Sequence, residues 1–252
     1  MNVSWVDTHC HLSLDERDPK ELIAEADDVV GIVIPGVDLR SSVAAVELAA
    51  RYPDRLGAAV GVHPHDSVGW EMIRNEISDL TETAVAVGET GLDYYRDHAP
   101  RDTQRASFAW HIELATERDL PLIVHCRDAF ADVYRMISES GSGELTVLHC
   151  WTGGTRWTRR FLELGVMFSY AGPITFTTGE TIRLGAELVP PDRALVETDT
   201  PYLAPEPHRG EPNRPAWVRH TGAELARVWG LSVEEVAATT TENARRVFGV
   251  PG

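Results

Sequence analysis

Residues 5–11 read WVDTHCH, a short apolar run that ends in two imidazoles one residue apart. Side chains alternate faces along a strand, which puts His9 and His11 on one side and Cys10 on the other. Packing gives no reason for two neutral imidazoles to converge, whereas ligation of one metal ion does. Other residues of ligand type close similar apolar runs: His63 and His65 in GVHPH, Glu89 in GETGLD, His125 in LIVHCRD, His149 in VLHCW and Asp199 in ETDTPYL. A lone histidine at such a place is ordinarily a hydrogen-bonded core or loop residue. The joint pattern points to a metal site.

Such a site needs elements that bring distant residues to one place. Eight β-rich runs recur, at 3–11, 30–36, 56–65, 83–91, 120–128, 144–154, 165–172 and 193–203. Between them, 41–52 and 104–119 carry apolar residues at i, i+3, i+4 spacing, while 173–192 is ambiguous. Continuous apolar strands alternating with helices indicate a parallel sheet covered on both faces. Eight units in 252 residues predict an α/β chain folded as a single (β/α)8 TIM barrel domain over 1–252. The tail from Asn213 to Phe248 adds two C-terminal helices, with Ser232 as the N-cap of the last. Active sites of such barrels lie at the C-terminal ends of the strands, where these polar residues collect.

Four imidazoles (His9, His11, His125, His149) and two carboxylates (Glu89, Asp199) are too many for one tetrahedral zinc. They suit two divalent ions sharing a bridge. Barrels of this design often bridge with a carbamylated lysine on strand four, but the chain's one lysine, Lys20, follows strand one. Glu89, at the end of strand four, takes that role. Imidazole softness favours zinc or manganese. Alternation turns Cys10, Cys126 and Cys150 away from their histidine neighbours, as small packing residues. It groups Asp7 with His9 and Glu197 with Asp199, to orient ligands or to satisfy polar groups in the barrel. Arg127 shares the His125 face. Arg209 and Arg214 lie in the proline-stiffened loop PYLAPEPHRGEPNRP (201–215), and with Arg127 and His65 are expected on the substrate side. Tyr94, Tyr95, Trp151 and Tyr202 follow strands four, six and eight and could stack on bases. His98, His111, His208 and His220 are left as surface or helix residues.

The net charge of −16, from 39 acidic and 23 basic residues, excludes a broad duplex-coating footprint. It favours a single-stranded end entering a pocket made locally positive by two divalent ions. No run approaches the roughly 18–20 apolar residues of a membrane span. The N-terminus lacks the pattern of a secretory signal, and three cysteines suggest no disulfide framework. A cytoplasmic enzyme with no membrane association and no obligate protein partner is expected.

The strings DTHCH, GVHPH, GETGLDYY, LIVHCRDA, HCWTGG, ETDTPYLAPEPHRGEPNRP and NARRVFG, running from residue 7 to 249, resemble the TatD family of metal-dependent hydrolases. The resemblance implies an amidohydrolase-type barrel and a divalent-metal-dependent deoxyribonuclease. It also implies ligation by His9, His11, Glu89, His125, His149 and Asp199, the six that spacing selects. Enzymes of this kind are often assayed with magnesium, so magnesium, manganese and zinc all stand as cofactors. The family usually has Ser at Cys126 and often Phe at Trp151, a change expected at the mouth. The expected mechanism is two-metal hydrolysis of a phosphodiester at single-stranded DNA ends, with Asp199 taking the proton of the attacking water. Two alternatives follow. One is attack on an acyl or amide bond, as in the D-aminoacyl-tRNA deacylation linked to family members. The other is a non-catalytic metal-binding protein. Convergence of the three arginines on the metals would favour phosphate.

Overall fold

The computed structural model describes residues 3–96 and 98–250. Eight parallel strands pair in sequence order: β1 Trp5–Asp7, β2 Val29–Pro35, β3 Leu56–Val60, β4 Ala86–Asp93, β5 Leu122–Arg127, β6 Thr146–Leu148, β7 Met167–Tyr170 and β8 Ala194–Val196. The chain beyond β1 joins β8 and closes the ring. Thr8 N–H donates to Val196 O (3.1 Å), Asp199 N–H to His9 O (2.9 Å), and Cys10 bridges Thr200. The predicted (β/α)8 barrel is the observed fold.

Nine α-helices are present among the described residues: α1 Pro19–Ala24, α2 Leu39–Arg51, α3 Trp70–Leu80, α4 Arg101–Arg118, α5 Phe130–Ser140, α6 Thr155–Leu162, α7 Glu180–Ala186, α8 Val218–Trp229 and α9 Val233–Phe248. The ambiguous stretch holds a 3-10 turn, Gly172–Thr175, and α7. Both expected C-terminal helices form. The first, α8, occupies the eighth helical position of the barrel, and α9 is the addition. Ser232 caps α9, its hydroxyl accepting from Glu235 N–H while the Glu235 carboxylate accepts from Ser232 N–H.

Two apolar layers follow from strand alternation. Val6, Val33, Ala59, Ala86, Ile123, Val147, Met167 and Leu195 point into the barrel and meet Ala244, Phe248 and Val250 from the C-terminal segment. The intervening residues, such as Trp5, Ile32, Val124 and Phe168, pack outward against the helices. Apolar residues therefore fill the barrel's lower half, and the polar strand ends are left at the upper rim. No helix among the described residues is long and apolar enough to cross a membrane.

Candidate metal centre and its mouth

Most of the polar strand-end residues lie just past the ladders. His9 and His11 follow β1, His63 and His65 follow β3, His149 follows β6 and Asp199 follows β8, while Glu89 and His125 lie within β4 and β5. The segments after β1, β3, β6 and β8 leave the ladder as their side chains turn over the barrel axis. Asp199 does so with φ of +61° and Cys150 with φ of +42°, conformations uncommon for residues with a Cβ and concentrated at functional sites. Gly91 has φ of +128°, and a Cβ there would stand 2.1 Å from His125 O. Glycine at this position lets β4 and β5 approach closely enough to set Glu89 beside His125.

Glu89 is buried, and its two oxygens face different groups. Oε2 lies 3.3 Å from His9 Nε2 and 3.6 Å from His11 Nε2. Those two nitrogens are 3.2 Å apart, and Asp199 Oδ1 stands 3.9 and 3.5 Å from them. Oε1 faces His149 Nε2 at 2.9 Å, His125 Nδ1 at 3.0 Å and His63 Nε2 at 3.5 Å. The spacing within both groups resembles the edge of a tetrahedral shell, about 3.3 Å for donors about 2.05 Å from a metal. Nδ1 of His9 and of His11 has no partner among the described residues, although both rings are buried.

The outer ring nitrogens show which lone pairs turn inward. Glu197 accepts from His149 Nδ1 (3.1 Å) and from Cys150 N–H (2.8 Å), leaving the His149 Nε2 lone pair facing Glu89. Asp93 Oδ2 takes His125 Nε2–H (3.1 Å), which leaves the His125 Nδ1 lone pair beside that of His149, 3.2 Å away. Groups this close and this buried need positive charge between them: a proton on His149 in the metal-free protein, or a metal ion when one is bound. His63 is different. Its Nδ1 accepts from His65 N–H, so the ring proton sits on Nε2 and points at Glu89. Burial alone would raise the Glu89 pKa, but His149, His63, His9 and His125 hold it well below the usual carboxylate range. Burial would lower His149, and Glu89 with Glu197 instead raises it well above its ordinary value.

Asp93 and Gln104 belong to this centre and were not expected from the sequence. Asp93 Oδ2 also accepts from His65 Nε2 (2.9 Å), and Oδ1 accepts from Tyr95 and Arg96 N–H. Buried Gln104 on α4 accepts from Asp93 N–H and donates to Asp93 O, fixing the turn. The signal was present in GETGLDYY, where Asp93 follows Glu89 by four residues at the end of the same strand.

Above the cluster opens a cavity of about 650 Å³ lined by the ligand-type residues, by Arg96, His98 and Arg127, and by Leu14, Tyr202 and Leu203. Of the three expected arginines only Arg127 lines it, so the convergence that would have favoured phosphate is met by one residue of three. Arg209 instead lies over the Phe176 ring (4.0 Å), and Arg214 pairs with Glu25 (2.7 Å). Cys10 faces the helix layer, as alternation requires. Cys126 also packs on that layer, yet both it and Cys150 line the cavity; at Cys150 the left-handed turn ends the alternation. Asp7 meets backbone rather than an imidazole ring, accepting from His9 N–H and from Thr198 N–H and Oγ1–H.

Trp151 does not stand at the mouth. It is buried among Phe130, Phe161 and Phe168, with Nε1–H donated to Thr158. Tyr94 donates to Asp132. His98 leans on His65, and His208 stacks on Trp217 with His220 beside it. His111 is a core residue, with Nδ1–H donated to Ser107 O and Nε2 accepting from Val62 N–H.

Fold and site define a barrel hydrolase of the metal-dependent class. The chain belongs to the TatD family: the family model described as TatD related DNase matches residues 6–249. The uncharacterized metal-dependent hydrolase YabD of Bacillus subtilis is 36% identical to it, covering 97% of this chain and 98% of that one. The 3'-5' ssDNA/RNA exonuclease TatD of Dickeya dadantii is 33% identical over 92% of each. The crystal structure of YJJV, a TatD homologue of Escherichia coli K12, superposes with a TM-score of 0.91 at 27% identity, covering 100% of both chains.

Proposed function

We infer that the chain hydrolyses phosphodiester bonds at single-stranded nucleic acid ends, with divalent ions that His9, His11, Glu89, His125, His149 and Asp199 would hold. The carrying observation is the split carboxylate: one oxygen faces His9, His11 and Asp199, the other His125 and His149. The bound ions would supply Lewis acidity and a water of lowered pKa. Asp199, buried beside His11, is placed to hold the proton that this water gives up. His63 turns its Nε2–H toward Glu89 and lines the cavity beside the carboxylate. Arg127 pairs with no carboxylate among the described residues and presents a cation at the mouth. The cavity, about 650 Å³, has the size of a small-ligand site and suits a strand end better than a duplex. The charge of −16 opposes broad contact with a duplex. The relative named as an exonuclease supports the same reading.

The test is cleavage of end-labelled single-stranded DNA by protein stripped with chelator and reconstituted separately with magnesium, manganese or zinc. Metal-dependent release of terminal nucleotides is expected. Full metal occupancy without cleavage by any of the three would move the assignment to acyl or amide substrates.

Asp93→Asn supplies a further expectation. The amide oxygen can still cap the turn, but an NH2 group would face the ring N–H donors of His65 and His125. His125 then loses the partner that fixes its tautomer. Metal affinity is expected to fall about tenfold to a hundredfold, and the metal-free protein should also melt lower, because two buried ring donors lose their acceptor. Calorimetric metal titration beside thermal unfolding checks this, and unchanged affinity would remove Asp93 from the centre.

A further inference from the structure

The mouth has two unlike walls. One side carries Arg96, His98 and Arg127, with the Arg127 guanidinium 4.1 Å from the centre of the Tyr95 ring. The opposite lining is apolar: Leu14, Tyr202 and Leu203 are 41%, 56% and 39% exposed in an otherwise polar setting. Isolated surface apolar residues need no explanation, but three exposed ones lining a single cavity on the loops after β1 and β8, neighbours in the barrel, do. Leu14 follows His11 by three residues, and the Tyr202 ring lies 6.1 Å from the His11 ring. The apolar wall therefore abuts the ligand cluster itself.

This wall is held rigidly from behind. Tyr202 N–H donates to Asp199 O, and Tyr202 O accepts from Asn213 Nδ2, which also donates to Thr198 O. Asn213 is fully buried, and its own N–H returns to Pro201 O. Leu203 sits at φ of +54°, with its carbonyl against Gly172, where a Cβ would lie 1.9 Å away. A planar ring on a fixed backbone, bordered by two aliphatic side chains and facing a cationic wall across the reactive centre, matches a nucleotide: base on one side, phosphate on the other. Stacking on an aromatic ring is tolerant of base identity, because every base offers a π-face.

Resting on the phosphodiesterase reading, we propose that Tyr202, flanked by Leu14 and Leu203, is the platform on which the terminal base stacks, while Arg127 takes a neighbouring phosphate. The enzyme thus requires a base beside the scissile bond without reading which base it is. The test compares a single-stranded oligonucleotide with the same strand carrying abasic residues at both ends, on reconstituted wild type, Tyr202→Phe and Tyr202→Ala. Loss of one stacked base corresponds to about a tenfold effect. Wild type and Tyr202→Phe are expected to show KM about tenfold higher on the abasic strand, with kcat within about twofold. Tyr202→Ala should show the raised KM on the intact strand and no further rise on the abasic one. Equal KM for both strands on wild type, or an equal penalty from Tyr202→Ala on both, would overturn the platform while leaving the phosphodiesterase reading standing. Failure of wild type to cleave either strand would overturn both. Thermal unfolding confirms that each variant is folded, and anisotropy of the two strands on metal-free protein repeats the comparison without turnover.

Discussion

Glu89→Ala is expected to lower kcat/KM on single-stranded DNA about a thousandfold or more, roughly 4 kcal/mol of transition-state stabilisation. The argument rests on position. Glu89 contributes one oxygen to each group of imidazoles, so its loss removes a donor from both at once. Neither His11 nor His125 touches both groups, and a single imidazole replacement should be milder. Metal content is expected to drop with the rate. Glu89→Gln separates charge from shape: it keeps the volume and an acceptor, so folding should survive while metal retention and turnover fall. Metal analysis of dialysed protein together with steady-state kinetics checks both variants. A Glu89→Ala protein with full metal content and the wild-type rate would end the bridging assignment.

The barrel was legible because its strands are continuous apolar runs, and the mouth because ligand-type residues close them. Strand lengths were not legible. The runs drawn to His11, His65 and Leu203 stop in the structure at Asp7, Val60 and Val196, where the chain leaves the ladder to carry His9, His11, His63 and Asp199 over the axis; Glu89 and His125 reach the centre from within β4 and β5. Strict alternation failed at the same places. It held for His125 and Arg127 inside β5, and of the two roles open to Asp7 the structure shows the satisfying of polar groups, His9 N–H and Thr198, rather than the orienting of a ring. Trp151 was misplaced for a related reason. The turn at Cys150 sends the next side chain back under the helices rather than out over the mouth. The spacing of Asp93 from Glu89 on one strand was readable, but its partners His65 and His125 come from other strands and are set by tertiary packing.

His111 lies on a helix, one of the two places the sequence left open to it, but on the buried face, and it yields the last prediction. Gln104, Phe108, His111 and Ala115 follow one another at spacings of four, three and four on the buried face of α4. The position was readable as core, but the residue type argued for the surface. In place, the neutral ring is satisfied at both nitrogens: Nδ1–H donates to Ser107 O (2.7 Å) and Nε2 accepts from Val62 N–H (3.0 Å). A second ring proton would set one donor against another in a dry site, and burial lowers the pKa from 6.5 to about 4. The unfolded chain then binds this proton first. Stability present above pH 6.5 is lost as pH falls, by about 2 kcal/mol near pH 5 and approaching about 3 kcal/mol near pH 4. His111→Gln lacks the titrating group, so other groups cancel in the difference between the two proteins. Wild type is expected to be the more stable at pH 7, where both hydrogen bonds are intact, and its advantage should shrink by about 2 kcal/mol at pH 5. Denaturant unfolding of the metal-free proteins at the two pH values measures this directly. A gap independent of pH would mean that His111 does not carry the acid sensitivity of the fold.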